Sequence, residues 1–170
     1  YVPMTVGITS KFSDKNNVIK GNKVIDHLVG IHCYGSSNHI ICGNNITDNY
    51  IGIAISNSSK FEINENRITN SFWYGFDITA SSKNNIIRNT IANSGIYGIF
   101  LQRLGYLVYS MFNRIKNNNF IENDENNDDY WKLIKNTNGS TTEHTLQLDK
   151  QVLKSNKVYE VTITGDDGGI

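Results

Sequence analysis

Short apolar groups, separated by Gly, Asn and Ser, recur along the chain in place of a helical stripe or a long apolar run. The stretch YIGIAISNSSKFEINENRITN, residues 50–70, is typical. Apolar and polar positions alternate within each group, and this period of two is that of a β-strand with one buried face. The pattern therefore predicts many short strands joined by frequent turns.

The apolar groups belong to a repeat that one asparagine marks. It occurs at Asn22, Asn44, Asn66 and Asn89, at separations of 22, 22 and 23 residues. A glycine-led strand follows each marker, with the sequences GIHC, GIAI, GFDI and GIFL. Partial copies in residues 6–17 and 113–120 extend the array to about five coils. The larger gap from Asn89 to Asn118 indicates an insertion around residues 102–112.

A period of this length is typical of leucine-rich repeats or of a parallel β-helix. Leucine is scarce and no helical segment fits between the elements, so the sequence predicts an all-β parallel β-helix. Each coil has three short strands, which in the second coil cover about 40–42, 45–47 and 52–56. Four inward columns form the core. They are Ile19/Ile41/Ile63/Ile86/Ile115, Val24/Ile46/Ile68/Ile91/Phe120, Ile31/Ile53/Phe76/Ile99 and Cys33/Ile55/Ile78/Leu101.

The repeated asparagine is expected at the corner between the first two strands. Asparagine tolerates the left-handed backbone that a sharp corner needs. Stacked at one corner, its side-chain amides can also bond each other from coil to coil. The 25 Asn and 14 Gly against one Pro agree with a chain that turns often.

Composition and charge narrow the organisation and the partners. The 170 residues suit one modest domain, with the solenoid in residues 1–130 and a C-terminal β segment in 131–170 that caps or assembles it. Within that segment TLQLDKQV and KVYEVTITG predict a hairpin. Zero net charge disfavours nucleic acid, and no apolar run is long enough for a membrane span. The start at Tyr1 favours a processed chain or a fragment.

Two stretches, NHIICGNNITDNYIGIAI and NNIIRNTIANSGIYGIFL, resemble the repeats of right-handed parallel β-helix proteins. The resemblance is to the carbohydrate-binding and sugar-hydrolase superfamily, including the periplasmic accessory protein of nitrous oxide reductase and archaeal surface proteins. It covers about residues 7–121 and implies binding of extended polysaccharide along a lateral face. Lyases, epimerases, tailspikes and non-enzymatic surface proteins share this architecture, so the likeness leaves the activity open.

The candidate sugar-binding residues lie at outward positions of the glycine-led strands or just before their glycines. Aromatic rings stack on sugars, and flanking polar groups bond hydroxyls. Covering of exposed backbone is the alternative role for these rings. The candidates are His32, Tyr34, Tyr50, Trp73, Tyr74, Asp77 and Tyr97.

The segment WYGFD, residues 73–77, resembles a motif of mannuronan epimerases and alginate lyases. The resemblance implies Tyr74 and Asp77 as catalytic residues. The Pro-His pair that follows in that family is Ile78-Thr79 here, so the acid or base is missing. Arg88 and Arg103 are the candidate neutralisers of a substrate carboxylate.

Metal sites are not expected. The likeness to the accessory protein raises copper, but His32 is predicted to face outward and Cys33 inward, while His27 falls in a loop and His39 has no predicted partner. Cys33 and Cys42 either form one disulfide or remain thiols, with inert sulfur favoured. The acidic residues 122–130 lack an EF-hand spacing, so a solvated loop is favoured over a calcium site.

The sequence thus favours a secreted or cell-surface module, with the periplasm included, that is structural and binds a polysaccharide or cell-surface glycan without catalysis. One alternative is a lyase or uronate epimerase acting on an acidic polysaccharide. The other is a subunit that self-associates through the solenoid ends, because open coils leave strands unpaired.

Overall fold

The computed structural model describes residues 3–102, 112–121, 123 and 159–162. These residues contain fifteen β-strands, which form a solenoid of mainly parallel strands. No helix occurs in these residues. Strand β1, Val6–Lys11, precedes four complete coils of three strands each. The coils are β2 Val18–Lys20, β3 Lys23–Ile25 and β4 Val29–Tyr34; β5 Ile40–Cys42, β6 Asn45–Thr47 and β7 Ile51–Ser56; β8 Glu62–Asn64, β9 Arg67–Thr69 and β10 Tyr74–Thr79; β11 Asn85–Ile87, β12 Thr90–Ala92 and β13 Tyr97–Gln102.

The last strands close the array. Strand β14, Arg114–Ile121, pairs in parallel with both β11 and β12, and β15, Tyr159–Thr162, adds to β14 antiparallel. The predicted fold is confirmed, but the coil count is four rather than about five, because each flanking copy contributes only one strand. Residues 159–162 of the predicted KVYEVTITG strand thus pair with β14, the last of the parallel strands. Its partner TLQLDKQV and residues 103–111 of the predicted insertion lie outside the described residues.

The six-residue strands form one sheet in the order β1-β4-β7-β10-β13. The register is in line, since Ile31 lies beside Ile53 and Ile53 beside Phe76. The same in-line stacking holds in the two sheets of shorter strands, where Ile41, Ile63 and Ile86 are successive neighbours and all are 0% exposed. The predicted inward columns therefore make up the core, which explains why a coil is stable only against its neighbours.

Buried asparagines link the coils at the first corner. The Nδ2 of Asn44 donates to Oδ1 of Asn66 at 2.8 Å, and Asn66 donates to Asn89 at 2.9 Å. The ladder continues to Asn118, across the 29-residue gap, at 3.0 Å. It confirms the coil-to-coil bonding predicted for the side chains of the repeated asparagine.

The residue with left-handed backbone at the corner was predicted to be the asparagine. It is instead the residue before the asparagine. Gly21, Gly43, Glu65, Arg88 and Asn117 have φ between 54° and 70°. The asparagine itself turns its amide into the solenoid, where the ladder and the carbonyl of the preceding coil hold it. Glu65 and Arg88 take this backbone conformation although neither is Gly or Asn, and their exposed side chains pair with each other at 3.3 Å.

Candidate functional site

The outer face of the six-residue sheet carries three columns of side chains. Strict register places residues of successive coils above one another at roughly 4.8 Å. The first column is Val29, Ile51, Tyr74 and Tyr97; the second is Thr9, His32, Ala54, Asp77 and Phe100; the third is Lys11, Tyr34, Ser56 and Thr79. The aromatic side chains of Tyr74, Tyr97 and Phe100 and the carboxylate of Asp77 therefore lie on the neighbouring strands β10 and β13.

Three aromatic rings form what we call the face cluster: Tyr74, Tyr97 and Phe100. The Tyr74 and Tyr97 rings are parallel within 6° with centroids 5.8 Å apart. The Phe100 ring lies 4.7 Å from Tyr74 and 5.5 Å from Tyr97, tilted by 24° and 26°. Both tyrosines are half-buried and Phe100 is only 8% exposed, so the rings cover one another and the exposed ring surface of the cluster belongs mainly to Tyr74 and Tyr97. Phe100 was not among the predicted binding residues, although His32 and Asp77 of the same column were.

A second group, the corner cluster, lies just before the strands of the same sheet. Tyr50 contacts Phe72 at 4.8 Å and Trp73 edge-on at 5.3 Å between ring centroids. Phe72 is 59% exposed and Trp73 37% exposed. Contiguous exposed apolar side chains are a feature of interaction surfaces. Trp73 precedes Tyr74, so the two clusters adjoin along the chain.

Asp77 stands beside the face cluster. Its Oδ1 accepts a hydrogen bond from Thr79 Oγ1 at 2.8 Å. His32 lies in the same column two coils away, with the small side chain of Ala54 between them. Burial and the Lys11 ammonium lower the pKa of His32 below its ordinary value, against the opposing pull of the Asp77 carboxylate. His32 is therefore neutral at neutral pH, and Asp77 is the charged group beside the rings.

Tyr34 lies apart from both clusters. Its ring contacts Phe12 edge-on at 5.1 Å, and its hydroxyl accepts a bond from Asn57 Nδ2 at 3.4 Å. Of the predicted residues, the structure therefore brings Tyr74, Tyr97 and Asp77 together, joins Tyr50 with Trp73, and leaves Tyr34 in separate contacts.

The surroundings of Tyr74 do not favour proton abstraction. Burial raises the pKa of Tyr74, and the charge of Asp77 and the nearby Tyr97 raise it further. A tyrosine base needs the opposite shift, because the phenolate is the active form. Arg88 pairs with Glu65 at 3.3 Å on a corner of the other sheets, away from this face. The second candidate neutraliser, Arg103, lies outside the described residues.

A buried histidine, His39, lies at the corner just before β5. The sequence had predicted no partner for it. His39 is 0% exposed and stacks on Phe61 with ring centroids 4.8 Å apart. Its Nδ1 accepts the Asn17 N–H at 3.3 Å, so the proton is on Nε2, which lies 2.7 Å from Ser10 Oγ. The Ser10 hydroxyl in turn donates to Asp14 Oδ2 at 3.0 Å. Asn84 and Asn113 fill the same slot in later coils, and this alignment was the available signal.

We expect the protein to lose stability on acidification because of His39. Burial lowers the pKa of His39 below 6.5, although Asp14 and the Ser37 backbone oppose the shift. Below pH 6.5 the unfolded chain binds a proton at His39 that the folded chain does not bind. The free energy of unfolding therefore falls as pH drops below 6.5 towards the folded pKa. Chemical denaturation at several pH values measures this slope.

A matched variant isolates the histidine. His39→Asn places in this corner the residue found there in later coils, whose Oδ1 accepts the same backbone bond. The variant should show a smaller acid loss over that pH range. An unchanged slope in His39→Asn would assign the acid sensitivity to other groups.

A scan against protein-family models matched residues 4–162 to one family, NosD, described as periplasmic copper-binding protein. The chain belongs to the NosD family. No curated protein and no solved structure gave a significant match. The periplasmic location in the NosD description agrees with the predicted location outside the cytoplasm, with the periplasm included. Within the residues that the structure describes, no helix is long and apolar enough to cross a membrane.

Copper binding, part of the NosD family description, has no matching donor set in the described part of this chain. No three His, Cys, Asp or Glu side chains converge there. Both His39 nitrogens are hydrogen-bonded, and His27 Nδ1 lies 2.8 Å from Thr5 Oγ1. Burial raises the pKa of Cys33 to about 12, so its sulfur stays a protonated thiol in the core. These residues do not fit a copper centre.

The remaining thiol and the acidic segment give no further donor set. Cys42 is a free, partly exposed thiol on β5, so the alternative of a disulfide with Cys33 is not formed. Within residues 122–130 only Asn123 is described. Its side chain accepts the Ser94 N–H at 3.0 Å and donates to the Ile91 carbonyl at 2.8 Å, so it links coils at a different corner from the asparagine ladder.

Proposed function

We propose that this NosD-family chain is a module outside the cytoplasm that binds polysaccharide without catalysis on the outer face of its six-residue sheet. The observation that carries the proposal is the face cluster, in which three rings with nearly parallel planes lie beside hydroxyl and carboxylate groups. Stacking on ring faces and hydrogen bonding to hydroxyls are the two interactions that sugars offer.

The solenoid supports an extended ligand. Its coils repeat at roughly 4.8 Å, so side chains in one column present a regular series of contacts along the axis. The face cluster spans two coils, and the corner cluster adds exposed rings beside it. An extended glycan matches this linear arrangement better than a compact small molecule does, because it can contact several coils in series without being enclosed by the protein.

The electrostatics of this face support binding without turnover. The raised pKa of Tyr74 disfavours the phenolate, and the pairing of Arg88 with Glu65 keeps that guanidinium at another corner. A lyase or epimerase acting on uronates needs a base together with a group that neutralises the substrate carboxylate. The described residues of this face supply a carboxylate instead, so we favour recognition over chemistry.

Replacing Tyr97 with Ile is expected to weaken glycan binding about two- to tenfold, because a stacking contact contributes about 0.5–1.5 kcal/mol. Ile51 and Val29 hold the same position in other coils, so the variant should fold normally. Affinity electrophoresis through gels containing neutral, basic or acidic polysaccharides measures the effect.

Tyr34→Ser is the matched control. It removes a tyrosine of the same face that contacts Phe12 rather than the face cluster, and Ser56 occupies this column one coil later. Retardation that is equal in Tyr97→Ile and the native protein would contradict the proposed site. Formation of unsaturated or epimerised products by the native protein would contradict the non-catalytic role.

A further inference from the structure

We propose that the corner cluster is a second sugar subsite, which takes an uncharged pyranose unit with equatorial hydroxyl groups, as in a glucan. The inference rests on the proposed function and extends the bound glycan from the face cluster to the adjoining corner. It follows from one juxtaposition. The exposed rings of Phe72 and Trp73 share a turn with Asn70, which belongs to a row of hydrogen-bonded polar side chains.

One inserted residue lengthens this corner. Three residues separate Thr47 from Ile51 in the second coil, whereas four separate Thr69 from Tyr74 at the same register in the third. The extra residue accounts for the change of the repeat spacing from 22 to 23. The longer corner holds Phe72, which is 59% exposed. The insertion therefore adds an aromatic side chain to the surface and nothing to the core.

The next coil leaves this ring uncovered. Its corner has the same length and places Gly95 against the backbone of the third-coil corner, where the Gly95 N–H donates to the Ser71 carbonyl at 2.8 Å. A Cβ on Gly95 would clash with the Phe72 carbonyl oxygen, so only glycine fits. Phe72 and the 37% exposed Trp73 therefore present ring surface to solvent, in contrast to the buried Phe100 of the face cluster.

The polar row runs along the same corner. Asn70 Nδ2 donates to Asp48 Oδ1 at 3.0 Å, and Asn93 Nδ2 donates to Asn70 Oδ1 at 3.0 Å. All three residues are exposed, and their φ values of 54–55° give them the same left-handed backbone in successive coils. The Asn70 amide has a second N–H and a second lone pair, which can bond two neighbouring hydroxyl groups.

A pyranose with equatorial hydroxyl groups matches both features. Its C–H groups form an apolar face that stacks on an aromatic ring, and its hydroxyl groups lie around the rim, where amides can reach them. An apolar peptide or a lipid chain would use the rings and leave the amides unused. Trp73 directly precedes Tyr74 of the face cluster, so one glycan chain can contact both clusters.

NMR titration with cellohexaose, an uncharged glucan oligomer, tests the inference. We expect the sugar to shift the indole N–H resonance of Trp73, which is assigned with Trp73→Leu because Leu28 holds this position two coils earlier. Phe72→Gly, which introduces the residue of the next coil, should weaken binding about two- to tenfold through the lost stacking contact. Asn70→Gly should weaken it by a similar factor through lost hydrogen bonds, and glycine suits the φ of 55°.

Phe12→Gly is the matched control. Phe12 is 69% exposed and follows β1, so it lies at the other end of the six-residue strands from the corner cluster. Its φ of 39° also accepts glycine. This variant should bind cellohexaose with unchanged affinity. If Phe72→Gly does not fold, Asn70→Gly and the Trp73 resonance of the native protein still decide the point.

The outcomes separate the two proposals. If affinity falls in Tyr97→Ile but not in Phe72→Gly or Asn70→Gly, the face cluster binds the glycan alone and the corner subsite is wrong. If polysaccharide gels retard the native protein but cellohexaose does not bind, the uncharged glucan class is wrong. If neither binds, the proposed function itself is wrong. A native dimer that Phe72→Gly dissociates would make the corner an interface between copies and would also overturn the inference.

Discussion

Asn66→Ala is expected to lower the free energy of unfolding by about 3 kcal/mol or more, because it leaves several buried polar groups without partners at about 1–3 kcal/mol each. The Asn66 Nδ2 donates to the Ile41 carbonyl and to Asn89 Oδ1, both at 2.9 Å. Its Oδ1 accepts the N–H and the Nδ2 of Asn44 at 3.1 and 2.8 Å. Water cannot replace these bonds readily, since Asn66 is 1% exposed.

The effect should be large relative to the whole stability, which for a domain is about 5–15 kcal/mol. Asn64→Ala is the matched control, because Asn64 lies two residues earlier on β8 and its side chain faces outward. We expect that control to change stability by less than about 0.5 kcal/mol. Urea unfolding followed by circular dichroism gives both values, and equal losses in the two variants would contradict a structural role for the ladder.

The sequence predicted the core of this solenoid well because the period and the alternation are both visible in it. Ile41, Ile63 and Ile86 recur at the repeat spacing, and stacking of like on like is the only arrangement that buries all of them. The left-handed corner was misplaced by one residue. Glu65 and Arg88 occupy the left-handed position in two of the coils, and neither residue type indicates positive φ.

The candidate site was predictable only in part. The register brings Tyr74 and Tyr97 together, and the repeat spacing gave that register. Phe100 joins them through side-chain conformation three residues further along β13, which spacing does not determine. The contacts of His39 with Ser10 and Phe61 cross between coils at a corner. That corner column mixes His, Phe and Asn, so it shows little identity from coil to coil.

Gly75→Ala is expected to destabilise the protein by about 3 kcal/mol or more, at or beyond the upper end of the usual cost of overpacking. A Cβ on Gly75 would lie 2.5 Å from the Gly98 carbonyl oxygen and 2.5 Å from Ile91 Cγ2. The carbonyl belongs to the neighbouring coil and Ile91 to the core, so neither can move away without separating paired strands. The glycine of the repeat is therefore required for the close approach of successive coils, although its φ is not positive.

Gly43→Ala distinguishes this steric requirement from backbone strain. Gly43 has φ +60° and no atom within 4 Å of the place that a Cβ would take, so its replacement should cost only the left-handed penalty of about 1–2 kcal/mol. Denaturant midpoints at constant slope compare the two variants. We expect Gly75→Ala to lose clearly more stability than Gly43→Ala, since only the former pushes two coils apart. The reverse order would mean that the coils can separate at little cost, and the coil-to-coil packing inferred for the core would then be wrong.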